Sequence, residues 1–368
     1  MSITSYGFLF FAGALLVLYY LIPKRAQWAL LLAASYTFYA FSGVRYLGYI
    51  LATTLCTYGA SLQMDGLKKR QELFFRENKE ILDREDKKLY KASIKKRQRI
   101  WLTLALLFNF GILAVIKYGN FVMSNIGALA GFEGDGFLHL ALPLGISFYT
   151  FQALSYTVDV YKGKLHAEKN IFRYALFVSF FPQLVAGPIE RSTNLLKQIE
   201  RLEDIKVWDY NRIASGCILM LWGFFQKMVI ADRVAILVDT AYSNIMIYNS
   251  YELLVAAIGF SIQIYCDFSS YSNIAVGAAK IMGLELMENF NTPYFANSIQ
   301  DFWRRWHISL STWFRDYLYI PLGGGKCSKV KKYRNIMVTF LMSGLWHGAN
   351  WTYVIWGGVA WSLSNYRS

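Results

Sequence analysis

Ten mostly apolar runs recur along this 368-residue chain, and they restrict its fold more than any other feature. A helix crosses the ~30 Å hydrocarbon layer of a bilayer with about 20 apolar residues. The candidate spans are residues 3–22, 28–41, 46–64, 100–116, 137–160, 172–185, 213–230, 253–282, 336–347 and 351–363. Several are short or broken by Gly and Pro, most clearly FFPQLVAGPI (180–189). Such pieces suit re-entrant or tilted segments enclosed by protein, because lipid offers no partner to free backbone groups. The periodicity is helical throughout, and no internal repeat is visible. The expectation is an all-α polytopic membrane protein, a single domain over residues 1–368, built as a bundle of roughly ten spanning or re-entrant helices.

Composition agrees with this reading. Apolar residues make up 55% and charged residues only 17%, against about 45–50% and 25% in soluble proteins, which excludes disorder, a coiled coil and a disulfide scaffold. The net charge of +14 raises the question of nucleic acid. The charge sits in short stretches between apolar runs, and no aromatic-plus-basic motif accompanies it, so no nucleic-acid partner is expected. Cys56, Cys217, Cys266 and Cys327 lie far apart without a CxxC pair, which indicates neither a disulfide framework nor a zinc site.

Residues 3–22 read as a retained helix and not a cleaved signal, because the basic pair Lys24 and Arg25 follows the apolar run. Residues 65–99 carry thirteen Lys/Arg and seven Asp/Glu, and residues 326–334 carry five Lys/Arg and no acid. Basic loops remain in the cytoplasm. Placing all three clusters there puts the N-terminus outside and makes 65–99 a basic, partly helical cytoplasmic loop.

Ionisable groups inside apolar surroundings are costly and point to function. Of four histidines, His139 and His166 flank a candidate span and read as incidental. His347 lies in LMSGLWHGANW (341–351), thirteen residues beyond Arg334. As a helix that distance is about 20 Å, deep in the hydrocarbon layer. The expectation is a buried imidazole, with Gly344 and Gly348 leaving room for a substrate chain. Histidine titrates near neutral pH and is a natural general base. The competing reading is a core histidine hydrogen-bonded to a neighbouring helix.

His307 lies in SIQDFWRRWHISLSTWFRDYLY (298–319), where Ser298 and Asp301 resemble a capping box. The segment mixes an aromatic stripe with charges at Asp301, Arg304, Arg305, Arg315 and Asp316, so it reads as one slanted or re-entrant helix near an interface. An interfacial helix with internal ion pairs explains the same pattern. In YCDFSSY (265–271), Asp267 ends an apolar run and needs a basic partner, and Pro182, Gln183 and Pro188 shape a broken helix suited to lining a cavity. No metal-ligand spacing, P-loop or GxSxG elbow is present in the sequence.

DFWRRWHISLSTWFRDYLYIPLGG (301–324) and RNIMVTFLMSGLWHGANWTYVIWG (334–357) closely resemble the membrane-bound O-acyltransferase family, and within it the bacterial alginate O-acetyltransferase-like branch. FFPQLVAGPIER (180–191) and YCDFSSYSNIAVG (265–277) resemble the same branch in the same order. The resemblance implies a helical bundle around a central tunnel, with the family's invariant histidine at His347 and the second functional histidine of this branch at His307. Asp267, Gln183, Trp306, Arg304, Asp316, Trp346 and Asn350 become candidates for the substrate tunnel.

The resemblance further implies a thioester donor, acetyl-CoA or an acyl carrier, with no tightly bound cofactor and no metal. The implied acceptor is a hydroxyl on an extracytoplasmic cell-envelope polysaccharide, or on a relay partner such as an SGNH-hydrolase-like protein. The implied setting is the bacterial inner membrane and its lipids. A sister branch that transfers D-alanine to teichoic acid shares the histidines, but RDYLYIPLGG (315–324) favours the acetyl branch. Ser270 stands where a glycine is common, and Asn273 where an aspartate is common. Relatives usually continue for several helices beyond residues 356–357, so a bundle without its final helices is expected of residues 1–368. The rival from another class is a transporter or flippase of an acylated intermediate, which broken helices would suit and which predicts inverted repeats.

Overall fold

A computed structural model describes residues 3–131, 142–184 and 187–365, and among these it contains helices and no strand. His139 lies outside the described residues. In chain order come α1 (Tyr6–Leu21), α2 (Lys24–Ala40), α3 (Leu47–Glu77), α4 (Arg84–Leu113), α5 (Gly119–Ala130), α6 (Ile146–Lys162), α7 (Ile171–Ser179) and α8 (Phe181–Leu184). They are followed by α9 (Leu195–Glu200), α10 (Tyr210–Phe225), α11 (Asp232–Ser243), α12 (Ser250–Ile281), α13 (Ile299–Arg305), α14 (Ile308–Phe314), α15 (Lys329–His347) and α16 (Trp351–Asn365).

Local chemistry sets many of these ends. The Ser5 side chain accepts the Phe8 amide at the start of α1, Asp83 caps α4, and Asn249 with Glu252 forms a reciprocal capping box on α12. Three π-helical turns, Ala114–Tyr118, Gln226–Ala231 and Arg315–Tyr319, interrupt the helical runs. Such turns recur at functional sites, and each of these carries a charged residue. The stretches Arg84–Ala130, Tyr210–Ser243 and Ser250–Ile281 are long and apolar enough to cross a membrane, and α1 is a shorter apolar helix.

Three features depart from the sequence reading. The runs expected at 100–116 and 213–230 do not stop there but continue past π turns into α5 and α11. The run 172–185 divides into α7 and α8 at Phe180, whose extended backbone (φ −52°, ψ 110°) leaves the helix just before Pro182. Residues 298–319 are also not one helix: the chain breaks between α13 and α14 at His307.

α6 is buried on all sides and forms the axis of the bundle. One core joins α1, α2, α3, α6 and α7 through Tyr19, Phe38, Met64, Tyr149, Tyr156 and Phe177. A second, smaller core of Phe151, Ile189, Leu310, Trp313, Phe314 and Trp346 fixes α14 and α15 against α6. There Trp313 stacks on Phe151 with ring centroids 3.9 Å apart and donates its indole N–H to the Phe151 carbonyl.

Basic side chains tie several of these segments together. Residues 65–99 form a helical hairpin from the ends of α3 and α4, closed by Phe74 stacking on Tyr90 at 4.3 Å. Lys95 donates to the Tyr161 carbonyl, Lys162 to the Asp316 carbonyl, and Lys24 to the Glu203 carbonyl.

Candidate active site

The break at His307 is built by a neighbouring loop. His307 takes a left-handed backbone (φ 44°, ψ 56°), a conformation that costs energy in a residue with a side chain and clusters at functional sites. Residues 289–291 hydrogen-bond across the gap: Asn291 N–H donates to the Arg305 carbonyl and Ile308 N–H to the Asn289 carbonyl, both at 2.9 Å. The Ser298 side chain accepts the Asp301 amide, so α13 starts where the sequence predicts and is cut short by this insertion.

His307 is only 2% exposed. Its Nδ1 lies 3.0 Å from Asn289 Oδ1, which also accepts the Ser309 backbone N–H at 3.2 Å and the Ser309 hydroxyl at 2.9 Å. A backbone amide can only donate, so Oδ1 is the acceptor at the centre and His307 Nδ1 carries its proton. In the neutral ring Nε2 is then left with a lone pair. That atom is buried and has no hydrogen-bond partner among the described residues. Phe268 packs edge-on to the ring at 4.6 Å.

His347 is the last residue of α15 and is exposed, not buried as the sequence suggested. Its ring meets Trp346 and Trp356 edge-on at 5.0 and 5.3 Å and lies parallel to Tyr353 at 6.3 Å. The neighbouring glycines have a different role from the one expected. A Cβ on Gly344 would lie 2.2 Å from the Tyr353 carbonyl oxygen, and one on Gly348 2.2 Å from the Tyr353 ring. The space is filled by α16, and these glycines serve helix packing. Gly344→Ala should therefore lower stability by about 1–3 kcal/mol through overpacking, read as a fall in the thermal midpoint of the purified protein. An unchanged midpoint would contradict the contact.

His307 and His347 line one cavity of about 140 Å³, together with Trp303, Trp306, Leu310, Ser311, Phe314, Thr339, Phe340 and Ser343. Both rings also touch Trp346, at 5.9 and 5.0 Å. The walls are aromatic with a few hydroxyls, the pattern of a small-molecule site.

Of the other residues singled out in the sequence, only Trp306 lines this cavity, packed against Phe290 and Phe302. Trp346 is buried behind it. Arg304 is exposed and outside the lining. Gln183 is buried in the main core and donates to the Phe177 carbonyl. Asp267 pairs at 2.5 Å with Lys227, which also pairs with Asp232. Asp316 joins Arg191 and Arg315, and Asn350 caps α16 through the Thr352 amide. His166 bonds Asp65. Among the described residues no group of three or more His, Cys, Asp or Glu could hold a metal ion.

Sequence reading missed Asn289, Ser311, Thr339 and Ser343. The last two were legible, because Thr339, Ser343 and His347 recur every four residues and share one helix face. Asn289 carries no local signal, since its partner lies eighteen residues away.

A family model for the membrane-bound O-acyltransferases matches residues 73–363, most of the chain and the whole cavity. This chain belongs to the membrane-bound O-acyltransferase family. It is 39% identical over 361 residues to the probable alginate O-acetylase AlgI of Azotobacter vinelandii, covering 97% of this chain and 66% of that protein. It is 35% identical over 372 residues to the peptidoglycan O-acetyltransferase of Helicobacter pylori, covering 93% and 64%. A more distant relative is the teichoic acid D-alanyltransferase of Bacillus subtilis, 31% identical over 230 residues and covering 58% and 56%. The chain thus spans about two thirds of the length of the acetylating relatives it matches. Within this O-acyltransferase frame, α13–α16 carry both histidine motifs.

Proposed function

We propose that this protein is a multi-pass O-acetyltransferase of the bacterial inner membrane, moving an acetyl group from a cytoplasmic thioester to a hydroxyl of an extracytoplasmic cell-envelope polysaccharide. The observation that carries the reading is the single aromatic cavity lined by both His307 and His347. Acetyl is favoured over D-alanyl because the relatives matched along nearly the whole chain are acetylating enzymes by name.

In this mechanism His347 takes the proton of the attacking hydroxyl as general base. The oxygen attacks the thioester carbonyl, the tetrahedral intermediate collapses, and the ester forms as the C–S bond breaks. The thiolate then takes the proton from His347 and leaves as the free thiol. From sequence, His307 could hold the acceptor, hold the donor carbonyl or stabilise the oxyanion. The lone pair on Nε2 accepts a hydrogen bond from a hydroxyl and cannot donate one to an oxygen, which supports the first role. The donor is an acyl thioester with a phosphate-bearing tail, acetyl-CoA or an acyl carrier. Lys162, Lys164 and Arg191, grouped around the Tyr317 ring at 5.3, 5.9 and 4.7 Å, support entry at this basic cluster. The acceptor hydroxyl belongs to the polymer itself or to a relay partner such as an SGNH-hydrolase-like protein.

Two measurements test this. Purified protein given acetyl-CoA and an oligosaccharide should yield the acetyl ester and free thiol in equal amounts, and thiol release without ester would contradict transfer. For orientation, Ala92→Cys, at an exposed position of the basic hairpin, should resist an impermeant thiol reagent in intact cells in a cysteine-free background. It should react once the cells are opened. Labelling from outside would invert the topology and move the donor entrance to the wrong face.

A further inference from the structure

α15 ends at His347, and the last carbonyls of any helix lack intrahelical donors. Here the two carbonyls immediately before the histidine are both taken by one neighbouring element. Tyr118 donates its hydroxyl to the Leu345 carbonyl at 2.6 Å, and Lys117 donates its ammonium to the Trp346 carbonyl. Both side chains come from the π-helical turn Ala114–Tyr118, which joins α4 to α5. Lys117 also reaches the Ser147 hydroxyl on α6 at 3.4 Å and lies 5.6 Å from the centre of the Trp346 ring.

A lysine directly following the apolar run 100–116 is expensive to keep in such surroundings. A neutral side chain would close a helix end at lower cost. What a cation adds is attraction to the negative end of the helix dipole and a link from α15 to the central helix α6. Trp346 lies between the two histidine rings, so a clamp on its carbonyl fixes the backbone that carries both that ring and His347. We propose that Lys117 and Tyr118 are positioning residues that hold the His347 imidazole against the cavity. The proposal deepens the acyl-transfer reading and rests on it for its kinetic consequence, whereas the clamp itself is a structural claim.

Two readouts keep these apart, both on the full chain in lipid nanodiscs. The first is turnover. Lys117→Met should lower kcat by about 10²-fold, the scale set by a misplaced catalytic group, with KM for the thioester within about twofold, and Lys117→Arg should restore most of the rate. Tyr118→Phe, which removes only the Leu345 contact, should give a smaller loss of the same kind and serves if Lys117→Met does not fold. The second is a 13C-histidine NMR spectrum. The chain has only four histidines, so the His347 signal is identified by its absence in His347→Gln. That signal should split or broaden in Lys117→Met or Tyr118→Phe and return to a single line in Lys117→Arg. A His347 signal unchanged in both variants, with kcat within about twofold of wild type, would overturn the clamp. If the signal responds as described but wild-type protein transfers no acetyl group, the clamp stands and the acyl-transfer reading falls.

Discussion

His347→Ala should lower acetyl transfer by ~10²–10⁴-fold, the range for loss of a positioned general base, while the protein still inserts and folds. His347 is exposed at the end of α15 and packs against the edges and faces of neighbouring rings. Removing it leaves no buried partner without a hydrogen bond and opens no cavity in either core. Acetylation in cells, normalised to the amount of membrane-inserted protein, measures the effect. A variant retaining more than about half of wild-type acetylation would remove His347 from the mechanism.

His307→Gln should cost ~10²-fold or more in turnover, the scale of losing one group aimed at the reacting centre. The competing account makes His307 a packing residue at a helix break. Glutamine keeps most of the volume and a hydrogen-bonding end, so on that account activity survives. On the catalytic account the lone pair at Nε2 is lost, along with the tautomer that Asn289 enforces. Binding of a non-reactive donor analogue should persist, because Lys162, Lys164 and Arg191, the residues proposed to receive the donor, are outside the cavity lining. Adding His307→Gln to His347→Ala should cost little more than His347→Ala alone, since residues that act as a unit are not additive. Near-normal transfer by His307→Gln would return the α13–α14 break to a scaffold role.

The helical character and the two histidine motifs were legible in the sequence because apolar periodicity and local motif spacing are properties of adjacent residues. The π turns at 114–118 and 226–231 were not, since the apolar pattern runs through them. The break at His307 depends on residues 289–291 filling the gap, a contact between segments that no window on 298–319 contains. The glycines around His347 were misassigned for a similar reason: small residues beside a histidine fit an approaching substrate and an approaching helix equally well, and Tyr353 decides the matter. Asp267, expected to need a basic partner, found Lys227, but is not part of the cavity lining. Lys117 stood at the end of an apolar run and could have been flagged on the cost of its charge alone.

One cavity, shared by His307 and His347, is expected to perform thioester-to-hydroxyl acyl transfer. The most direct test is a single-turnover assay with purified protein, [1-14C]acetyl-CoA and a polysaccharide fragment of the acceptor type. Label should appear in ester linkage to the fragment, with one thiol released per ester formed, and both should be lost in His307→Gln and His347→Ala. Label transferred equally well by both variants, or label moved across a sealed membrane without any ester formed, would contradict acyl transfer at this cavity.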